Sequence, residues 1–492
     1  MRLSSLLKDF LSLPTTVDCD VSALTLDSRH VAVNGLFLAI KGSQLDGRKF
    51  IDEAISRGAA AVLMEADSAV ESISEKHGKP IIPIYQLHNK VGHLAAVFYD
   101  YPAKKMQMIG VTGTSGKTSC THFIAQSLQS LNLPCGIMGT LGNGFYGALG
   151  PVGLTTPDAV TLQSTLHQFV TQQAKAIAME VSSHSIDQGR ISGIEFDLGI
   201  FTNLTQDHLD YHGDMETYAA VKRRFFAEYP TKQLIINADD VYGRKWISEL
   251  SQQKNVMAYS LVKQSALTPS IYVEHVESTL EGIEAHVYSP WGQGILSLPL
   301  VGHFNLSNAL ATFAVLGLMD VPFNDILHEL SQLEAVPGRM QTLCRQGQPL
   351  VVIDYAHKPD ALLKVLQTLR QLTQGKLICV FGCGGERDNG KRPLMANIAE
   401  RWADKVIVTN DNPRHEKPEE IAAQIMQGFS HPERVLVELD RSKAIEISIQ
   451  WANARDCVLI AGKGAERYQQ IGDNKIPFDD MEKASAFLGR RN

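Results

Sequence analysis

Short apolar runs alternate with amphipathic segments along the middle of the chain. The runs have the length of buried strands and lie at residues 108–111, 177–181, 198–201 and 234–236. The segment after the first run repeats apolar residues at helical spacing, with Phe123, Ile124 and Leu128 on one face. Strands that alternate with helices in this way predict a parallel sheet with crossover helices.

The same alternation appears in separate sets on either side of this region. Residues 35–40 and 60–63 read as strands around a short helix at 51–57, and residues 1–13 read as a helix of the fold. A later set of strands follows at residues 350–353, 377–381, 406–408 and 458–461. Linker-like segments lie at residues 101–105 and 335–338. The pattern predicts three α/β domains: a small N-terminal domain at 1–102, a central P-loop-type domain at 103–336 and a doubly wound, Rossmann-like domain at 337–492.

Composition narrows the class of protein. The 492 residues are 44% hydrophobic and 20% charged, with a net charge of −7 and no block of Lys or Arg, which argues against a nucleic-acid binder. The seven cysteines form no CxxC pair, which favours a reducing, cytoplasmic compartment. No apolar run approaches the length of a membrane span, so no membrane insertion is expected.

Residues 112–118, with the sequence TGTSGKT, follow the first apolar run and precede the helix. A strand, a glycine turn and a helix N-terminus in this order form a phosphate cradle, in which backbone N–H groups face the anion. Lys117 adds a positive charge, and the Thr118 hydroxyl is a ligand type for magnesium. The alternative is an ordinary glycine turn.

Polar residues follow the ends of the other predicted strands, where parallel α/β sheets bind ligands. Glu180 is a second candidate magnesium ligand, with a solvated end of the strand as the alternative. His208 and His212 have a spacing that zinc ligands also show, but the segment lacks a metalloprotease-type helix motif.

Several of these segments together resemble the Mur ligases of peptidoglycan assembly. The matching segments span almost the whole chain: TGTSGKT at 112–118, EVSSH at 180–184, NLTQDHLD at 203–210, DYAH at 354–357, DNPR at 411–414 and GKGAE at 462–466. The DNPR and GKGAE segments are similar to those of the family members that use a diamino acid. The resemblance implies an ATP-dependent ligase that adds meso-2,6-diaminopimelate to UDP-N-acetylmuramoyl-L-alanyl-D-glutamate through an acyl phosphate.

The resemblance also implies roles for individual residues. The catalytic residues would be Lys117, Glu180, His208 and Lys222. Magnesium would be held by Thr118, Glu180, His208 and a carbamylated Lys222, for which a solvated helix lysine is the alternative. The implied ATP contacts are Gly113, Thr114, Ser115, Gly116, Lys117, Thr118, Asn305, Asn308, Arg339 and His357, the last two of which resemble residues that move in to meet ATP.

Substrate contacts are implied in the same way. The nucleotide-linked dipeptide would be bound by Leu26, Ser28, Gln44, Thr155, Thr156, Ser182, Gln188 and Arg190. Diaminopimelate would be bound by Arg387, Asp411, Asn412, Arg414, Gly462 and Glu466. Arg414 suits the distal carboxylate, which L-lysine lacks, because a guanidinium binds a carboxylate through two parallel hydrogen bonds.

Other functional classes remain as alternatives. Another amide ligase, such as a folylpolyglutamate synthetase, would share the phosphate loop but not the N-terminal unit or the DNPR segment. A P-loop kinase or NTPase would not explain the polar strand ends of the third domain, and a scaffold protein would not need Lys117, Glu180, His208 and Lys222 together. We expect a monomer with small-molecule substrates.

Overall fold

The predicted apolar runs form buried strands in the computed structural model, which describes residues 1–42, 45–68, 72–151, 153–263 and 269–490. The N-terminal region has strand order β1-β2-β3-β5-β4, parallel except for β4, which is antiparallel to β5. Its elements are α1 (Leu3–Leu7), β1 (Ala23–Thr25), β2 (Gly35–Ala39), α2 (Ile51–Ser56), β3 (Ala59–Ala66), β4 (Ser74–Lys76), β5 (Lys79–Tyr85) and α3 (Leu87–Phe98). Gln44 and residues 69–71 lie outside the described ranges.

The prediction of a helix over residues 1–13 is wrong in extent. Helix α1 contains only Leu3–Leu7, and its buried face consists of Leu3, Leu6 and Leu7. The chain then turns toward Pro14, and the residue before a proline is disfavoured in helical conformation. The predicted linker at 101–105 forms a 3-10 helix over Pro102–Lys105, in which Pro102 and Ala103 are buried.

The central sheet places the phosphate loop at its middle. Its strand order is β13-β12-β11-β6-β10-β7-β8-β9, and β6 lies between β11 and β10 with both neighbours parallel. The elements are β6 (Gln107–Thr112), α4 (Lys117–Ser130), β7 (Cys135–Gly139), β8 (Gly142–Phe145), β9 (Ala148–Leu149), α5 (Ala159–Thr171), β10 (Ala176–Glu180), α6 (Ser183–Asp187), β11 (Phe196–Phe201), α7 (Leu209–His212), α8 (Met215–Ala227), β12 (Thr231–Asn237), α9 (Val241–Leu250) and β13 (Asn255–Ser260). Glu180 pairs in register with Val111, so the end of β10 lies beside the start of the loop.

An antiparallel segment follows that the sequence analysis did not predict. Strands β14 (Ile271–Ser278), β15 (Ile283–Ser289) and β16 (Gly292–Leu298) form a meander, followed by α10 (His303–Leu318) and α11 (Phe323–Ser331). Buried and exposed residues alternate along β14 and β15, as in strands with one solvated face. The connections are too short for the crossover helix that a parallel pair needs, so these strands pair antiparallel.

The C-terminal region is doubly wound, as predicted. Its strand order is β17-β18-β22-β19-β20-β21, parallel apart from β17, and β23 and β24 form a separate hairpin. Apolar clusters cover both faces of the sheet. The elements are β17 (Gln341–Leu343), β18 (Leu350–Asp354), α12 (Pro359–Leu372), β19 (Leu377–Phe381), α13 (Lys391–Trp402), β20 (Lys405–Val408), α14 (Pro418–Met426), β21 (Leu436–Val437), α15 (Arg441–Trp451), β22 (Cys457–Ala461), β23 (Tyr468–Ile471), β24 (Asn474–Pro477) and α16 (Asp480–Arg490).

By packing, the chain divides into two compact units. One consists of Met1–Tyr259 with Ala314–Met319, and the other of Ser260–Phe313 with Asp320–Asn492. The domain boundaries inferred from the sequence stay a prediction. Among the described residues, none of the helices combines the length and apolar character needed to cross a membrane.

Candidate active site

The phosphate loop turns sharply between β6 and α4. Gly113 and Gly116 have φ angles of +153° and +87°, in the region that favours glycine. A Cβ on Gly113 would lie 1.9 Å from Thr202 Oγ1, so a side chain there would displace the end of β11. The glycines therefore allow the chain to enter α4 with its first backbone N–H groups facing outward from the helix end.

Asn203, which lies just after β11, holds this loop through hydrogen bonds. Its Oδ1 accepts from Ser115 N at 3.0 Å, its Nδ2 donates to Ser115 O at 3.1 Å, and its backbone O accepts from Thr114 N at 2.9 Å. Lys117 Nζ donates to Gly113 O and Thr114 O at 2.8 and 3.0 Å. The loop is thus held in a fixed shape, with its lysine folded over it.

Glu180 lies at the end of β10 and is almost completely buried, at 1% exposure, which rules out the solvated alternative. Its Oε1 accepts from Thr118 Oγ1 at 3.0 Å and from Thr140 N at 2.9 Å, and its Oε2 accepts from Thr140 Oγ1 at 3.1 Å. A Cβ on Gly139 would lie 2.3 Å from Glu180 Oε1. A hydroxyl and a carboxylate in direct contact are oxygen ligands of the type that Mg²⁺ prefers.

The residues predicted to bind the dipeptide also lie together beside Glu180. Thr156 Oγ1 donates to Glu180 O at 2.7 Å, and Arg190 Nη1 donates to Thr156 O at 2.9 Å. Arg190 Nε also donates to Gln188 Oε1 at 2.9 Å, while Thr156 Oγ1 and Ser182 Oγ are 3.4 Å apart. Thr155 Oγ1 lies 3.2 Å from the hydroxyl of Thr140, which itself contacts Glu180. Burial lowers the pKa of the partly buried Arg190 guanidinium, which nevertheless stays cationic at neutral pH.

Lys222 is buried at 1% exposure, so the solvated alternative for this lysine is wrong. Its Nζ donates to Gly113 O at 3.0 Å and to Thr112 Oγ1 at 3.4 Å, which places it under the phosphate loop. The same Nζ lies 4.9 Å from the ring centre of Tyr218, one helical turn earlier on α8. Lys222 therefore belongs to the loop's immediate surroundings.

Tyr218 connects Lys222 to the histidine segment. Its hydroxyl lies 3.3 Å from Thr114 Oγ1, and its ring packs against His208 at 6.3 Å and His212 at 5.1 Å between centres. Burial raises the pKa of this hydroxyl. The sequence analysis missed Tyr218, although the i,i+4 spacing to Lys222 on a predicted helix places both side chains on one face.

The histidines form a packed group with no indication of a zinc site. His212 Nε2 lies 2.9 Å from Ser183 Oγ, and the His184 ring is 4.9 Å from that of His208. Burial, followed by the charge of Arg190, lowers the pKa of His184. Across the described part of the chain, no cluster of three or more His, Cys, Asp or Glu side chains is arranged to hold a metal.

The predicted uridine contacts lie in the N-terminal sheet region. Leu26 is partly buried against the apolar core of that region, and the buried Ser28 donates its hydroxyl to Glu53 Oε2 at 2.7 Å. That hydrogen bond is the leading cause of a lowered pKa at Glu53. Gln44, the remaining predicted contact, lies outside the described residues.

The predicted ATP contacts outside the loop lie on α10, just before β17 and just after β18. Asn305 and Asn308 are both buried, and Asn305 Nδ2 donates to Val301 O at 2.9 Å. The Arg339 guanidinium lies 4.6 Å from the ring centre of Tyr355, whose backbone O is 2.8 Å from His357 Nδ1. These contacts fix Arg339 against the end of β18.

His357 is a neutral imidazole in the folded protein. Burial lowers its pKa to about 3, and the nearby charges of Lys358 and Lys391 act in the same direction. Lys391 Nζ donates to His357 O at 2.8 Å, and burial lowers the pKa of Lys391 as well. Three residues before His357, the buried Asp354 accepts hydrogen bonds from the backbone N of Met340 and of Ala356, both at 2.8 Å.

The strand ends of the C-terminal sheet bring together the residues predicted to bind diaminopimelate. Asn412 Nδ2 donates to Glu466 Oε2 at 2.8 Å, which joins the loop after β20 to the loop after β22. A Cβ on Gly462 would lie 2.6 Å from Asp411 Oδ2, so this position must stay small. Arg414 Nη1 donates to Gly385 O at 2.7 Å.

Gly384 separates the guanidinium-bearing side chains of this region. A Cβ on Gly384 would lie 3.0 Å from Arg414 Nη1 and 3.9 Å from Arg387 Cγ. Arg387 itself is exposed and donates only weakly to Glu386 O, at 3.4 Å. Arg387 thus lies in the loop after β19, and Arg414 contacts the same loop.

Two fully buried arginines support these loops and were missed in the sequence. Arg392 pairs with Glu416 at 2.9 Å and donates to Gly384 O at 3.2 Å. Arg441 pairs with Asp480 at 2.7 Å, with both side chains 0% exposed. Arg441 also donates to Asn410 O and Ala461 O, the residues just before the DNPR and GKGAE segments. No sequence signal distinguishes such arginines from solvated ones on a helix.

Comparison with known proteins identifies the family. Residues 20–99 match the model described as Mur ligase family, catalytic domain; residues 111–316 match the Mur ligase middle domain; and residues 338–464 match the Mur ligase, glutamate ligase domain. The chain belongs to the Mur ligase family. The predicted fold class of three α/β domains is confirmed by the same matches.

Individual Mur ligases are similar over nearly their full length. A protein of Coxiella burnetii named UDP-N-acetylmuramoyl-L-alanyl-D-glutamate--2,6-diaminopimelate ligase is 48% identical over 475 residues, 96% of each chain. A protein of the same name from Pseudomonas aeruginosa is 47% identical over 471 residues, again 96% of each. A solved structure titled with that ligase name is 34% identical, with a TM-score of 0.70 over 96% of this chain and 95% of its own.

Proposed function

We infer that this chain is an ATP-dependent ligase that joins meso-2,6-diaminopimelate to UDP-N-acetylmuramoyl-L-alanyl-D-glutamate in peptidoglycan precursor synthesis. The names of its relatives, at 47–48% identity over 96% of the chain, support this assignment. The geometric observation that carries it is the position of Glu180. One carboxylate oxygen contacts Thr118 of the phosphate loop, and the backbone oxygen contacts Thr156 on the proposed dipeptide side.

A ligase of this type must bring a γ-phosphate to a carboxylate. A carboxylate oxygen of the dipeptide attacks the γ-phosphorus, the bond to ADP breaks, and an acyl phosphate forms. The amine of diaminopimelate then attacks the acyl carbon, phosphate leaves, and the nitrogen releases a proton to solvent. The chain's contribution is positioning and charge stabilisation.

The residues of the central domain fit these tasks. The loop N–H groups and Lys117 stabilise charge on the transferring phosphoryl group. Arg190 donates to Thr156 O and Gln188 Oε1, which hold its guanidinium at this site, and the second N–H of each Nη atom would bind a substrate carboxylate. The neighbouring Ser182 hydroxyl accepts from Ser185 N, which fixes the start of α6 at this site.

Magnesium would be held by oxygen ligands that the chain already presents. Thr118 and Glu180 fit one ion, and His208 with a carbamylated Lys222 would complete the set for a second. The bound ions would neutralise charge on the ATP phosphates. The burial of Lys222 supports the carbamate, because a buried ammonium is costly and the uncharged amine is the form that adds carbon dioxide.

The remaining substrate contacts are part of the same proposal. Asn305, Asn308, Arg339 and His357 would serve ATP, and Leu26, Ser28 and Gln44 would serve the uridine end. Arg414 would bind the distal carboxylate of diaminopimelate, with Arg387 beside it, and Glu466 would bind the distal ammonium. We propose a cytoplasmic monomer that acts on small molecules, without nucleic acid or membrane insertion.

The test is a reconstituted reaction with purified protein, ATP, magnesium and the nucleotide-linked dipeptide. Phosphate release and product mass are followed with meso-diaminopimelate or L-lysine as the amino acid. We expect phosphate and the tripeptide product only when the dipeptide and diaminopimelate are both present. Phosphate release without dipeptide or amino acid would instead identify an NTPase, and turnover with lysine alone would contradict the role of Arg414.

A further inference from the structure

Lys463 is a fully buried cation in the C-terminal domain to which the reaction described above gives no role. Its side chain is 0% exposed, and its Nζ lies 3.0 Å from Asn412 Oδ1 and 3.0 Å from Glu466 Oε2. Burying an ammonium group is costly unless it is paired. Both of its partners belong to the residues proposed to bind diaminopimelate.

The hydrogen bonds around Lys463 fix the orientation of both partners. Asn412 Oδ1 accepts from Lys463 Nζ and also from Gln470 N at 2.9 Å, so the amide group must turn its Nδ2 toward Glu466. That Nδ2 donates to Glu466 Oε2 at 2.8 Å, the same oxygen that accepts from Lys463. Among the described residues, Oε1 of Glu466 accepts no protein hydrogen bond, so this oxygen remains to accept from a ligand.

Lys463 also sets the charge that a ligand meets. Its charge offsets that of Glu466 directly, while Arg414 stands on the loop after β20 with its guanidinium against Gly385 O. Nearby, Asp411 is buried and uses Oδ1 to accept from Asn412 N. An amino-acid end with both a carboxylate and an ammonium matches this arrangement. A lone ammonium, as in L-lysine, meets a carboxylate that is already compensated and an unmatched arginine.

We propose that Lys463 is a positioning residue that makes the acceptor site selective for a zwitterionic distal end: it holds Glu466 and Asn412 in place and cancels the charge that would otherwise attract a lone ammonium. The inference rests on the proposed function. It adds a selectivity element that acts through Glu466, beside the direct contact made by Arg414.

The experiment uses the full-length protein and compares wild type with Lys463→Met, which keeps a straight chain and removes the charge. Steady-state kinetics are measured with meso-diaminopimelate and with L-lysine, together with KM for ATP. We expect the ratio of kcat/KM for diaminopimelate over lysine to fall about ten-fold, mainly through KM for diaminopimelate. KM for ATP should change by less than about two-fold, because the change is confined to the acceptor site.

The controls separate positioning from a general structural effect. Lys443→Met removes an exposed lysine of α15 and should leave the ratio unchanged. Adding Lys463→Met to Glu466→Gln should cause little further loss, because residues that act through one another are not additive. Lys463→Gln, which keeps a hydrogen-bond donor without the charge, should lower the ratio as Lys463→Met does.

Each outcome decides the matter. If wild type makes no product with diaminopimelate, the proposed function fails. If wild type is active and the ratio is unchanged in Lys463→Met, or if KM for ATP rises equally, only the role of Lys463 is overturned. Loss of the folded state in both Lys463 variants, seen as the absence of a thermal transition, would assign the residue to stability and overturn the proposal as well.

Discussion

Gly139→Ala is the smallest change that should disable Glu180. Gly139 is the last residue of β7, and a Cβ there would lie 2.3 Å from Glu180 Oε1 and 2.9 Å from both the carboxyl carbon and Cγ. The backbone of Gly139 is not in the positive-φ region, so the methyl group itself causes no backbone strain. The perturbation is therefore purely a displacement of the carboxylate.

The size of the effect follows from what holds Glu180. The carboxylate accepts from Thr118 Oγ1, Thr140 N and Thr140 Oγ1, and it is 1% exposed. Overpacking a buried site costs about 1–3 kcal/mol. Breaking one hydrogen bond to a charged group costs about 1.5–3 kcal/mol more. If the lost hydrogen bond also stabilises the transition state, a loss near the upper end of that range, about 2.7 kcal/mol, lowers kcat about 100-fold. This is the decrease that we expect.

The assay is phosphate release under saturating ATP, dipeptide and diaminopimelate, with urea unfolding measured on the same preparations. Gly153→Ala is the matched control, because a Cβ at Gly153 meets no atom within 4 Å. It should keep full activity and stability. Gly139→Ala should remain folded at 25 °C and lose most of its turnover.

Wild-type turnover in Gly139→Ala would refute the reasoning, since it would mean that Glu180 can leave its position without consequence. Equal losses in Gly139→Ala and Gly153→Ala would also refute it, by pointing to a general cost of alanine in this segment. Loss of activity that tracks the unfolded fraction alone would remove Glu180 from the catalytic explanation.

The remaining predictions concern other buried groups. Lys222→Ala should lower kcat at least about 100-fold, and added short-chain carboxylates should restore part of the activity. Arg223→Ala, on the exposed side of the same helix, should leave kcat unchanged. If carboxylates restore no activity to Lys222→Ala, the carbamate is contradicted. Burial lowers the pKa of His357 to about 3 from its usual 6.5, so the unfolded chain binds the proton first as pH falls. The unfolding free energy of wild type should therefore fall by up to about 1.4 kcal/mol per pH unit below 6.5, relative to His357→Gln, in urea titrations at pH 7 and 5. An equal pH dependence of the two unfolding free energies would contradict a neutral His357. Asp480→Asn should cost about 3–5 kcal/mol of unfolding free energy by leaving a buried arginine charge, and Asp473→Asn, which is exposed, should cost nothing measurable by urea denaturation.

The positions of the strands and of the phosphate loop were predictable because they depend on local pattern. Parallel strands bury both faces, so residues 377–381 read as a continuous apolar run and form β19 over the same residues. The meeting of Glu180 with the loop followed from the rule that parallel strands end at one edge, and the register of Glu180 with Val111 confirms it.

What the sequence did not reveal depends on which side chains are buried together. Thr140 and Tyr218 have no motif of their own, and Lys463 lies within GKGAE without a role implied for it. The roles of all three arise from contacts with residues distant in the chain. The meander of β14–β16 was missed because its strands have one solvated face. Polar residues interrupt the apolar ones along β14 and β15, so no continuous apolar run marks them.

The ion pair of Arg441 with Asp480 links the acceptor site to the order in which the protein is made. Arg441 donates to Asn410 O and Ala461 O, and it forms its ion pair with Asp480 at the start of α16. Asp480 is translated after every residue proposed to bind the amino acid. Since domains fold as units while the chain leaves the ribosome, we expect the amino-acid pocket to stay open during synthesis and to close only when α16 has emerged. On the ribosome, the phosphate loop would then fold well before the residues that select the amino acid are held in place.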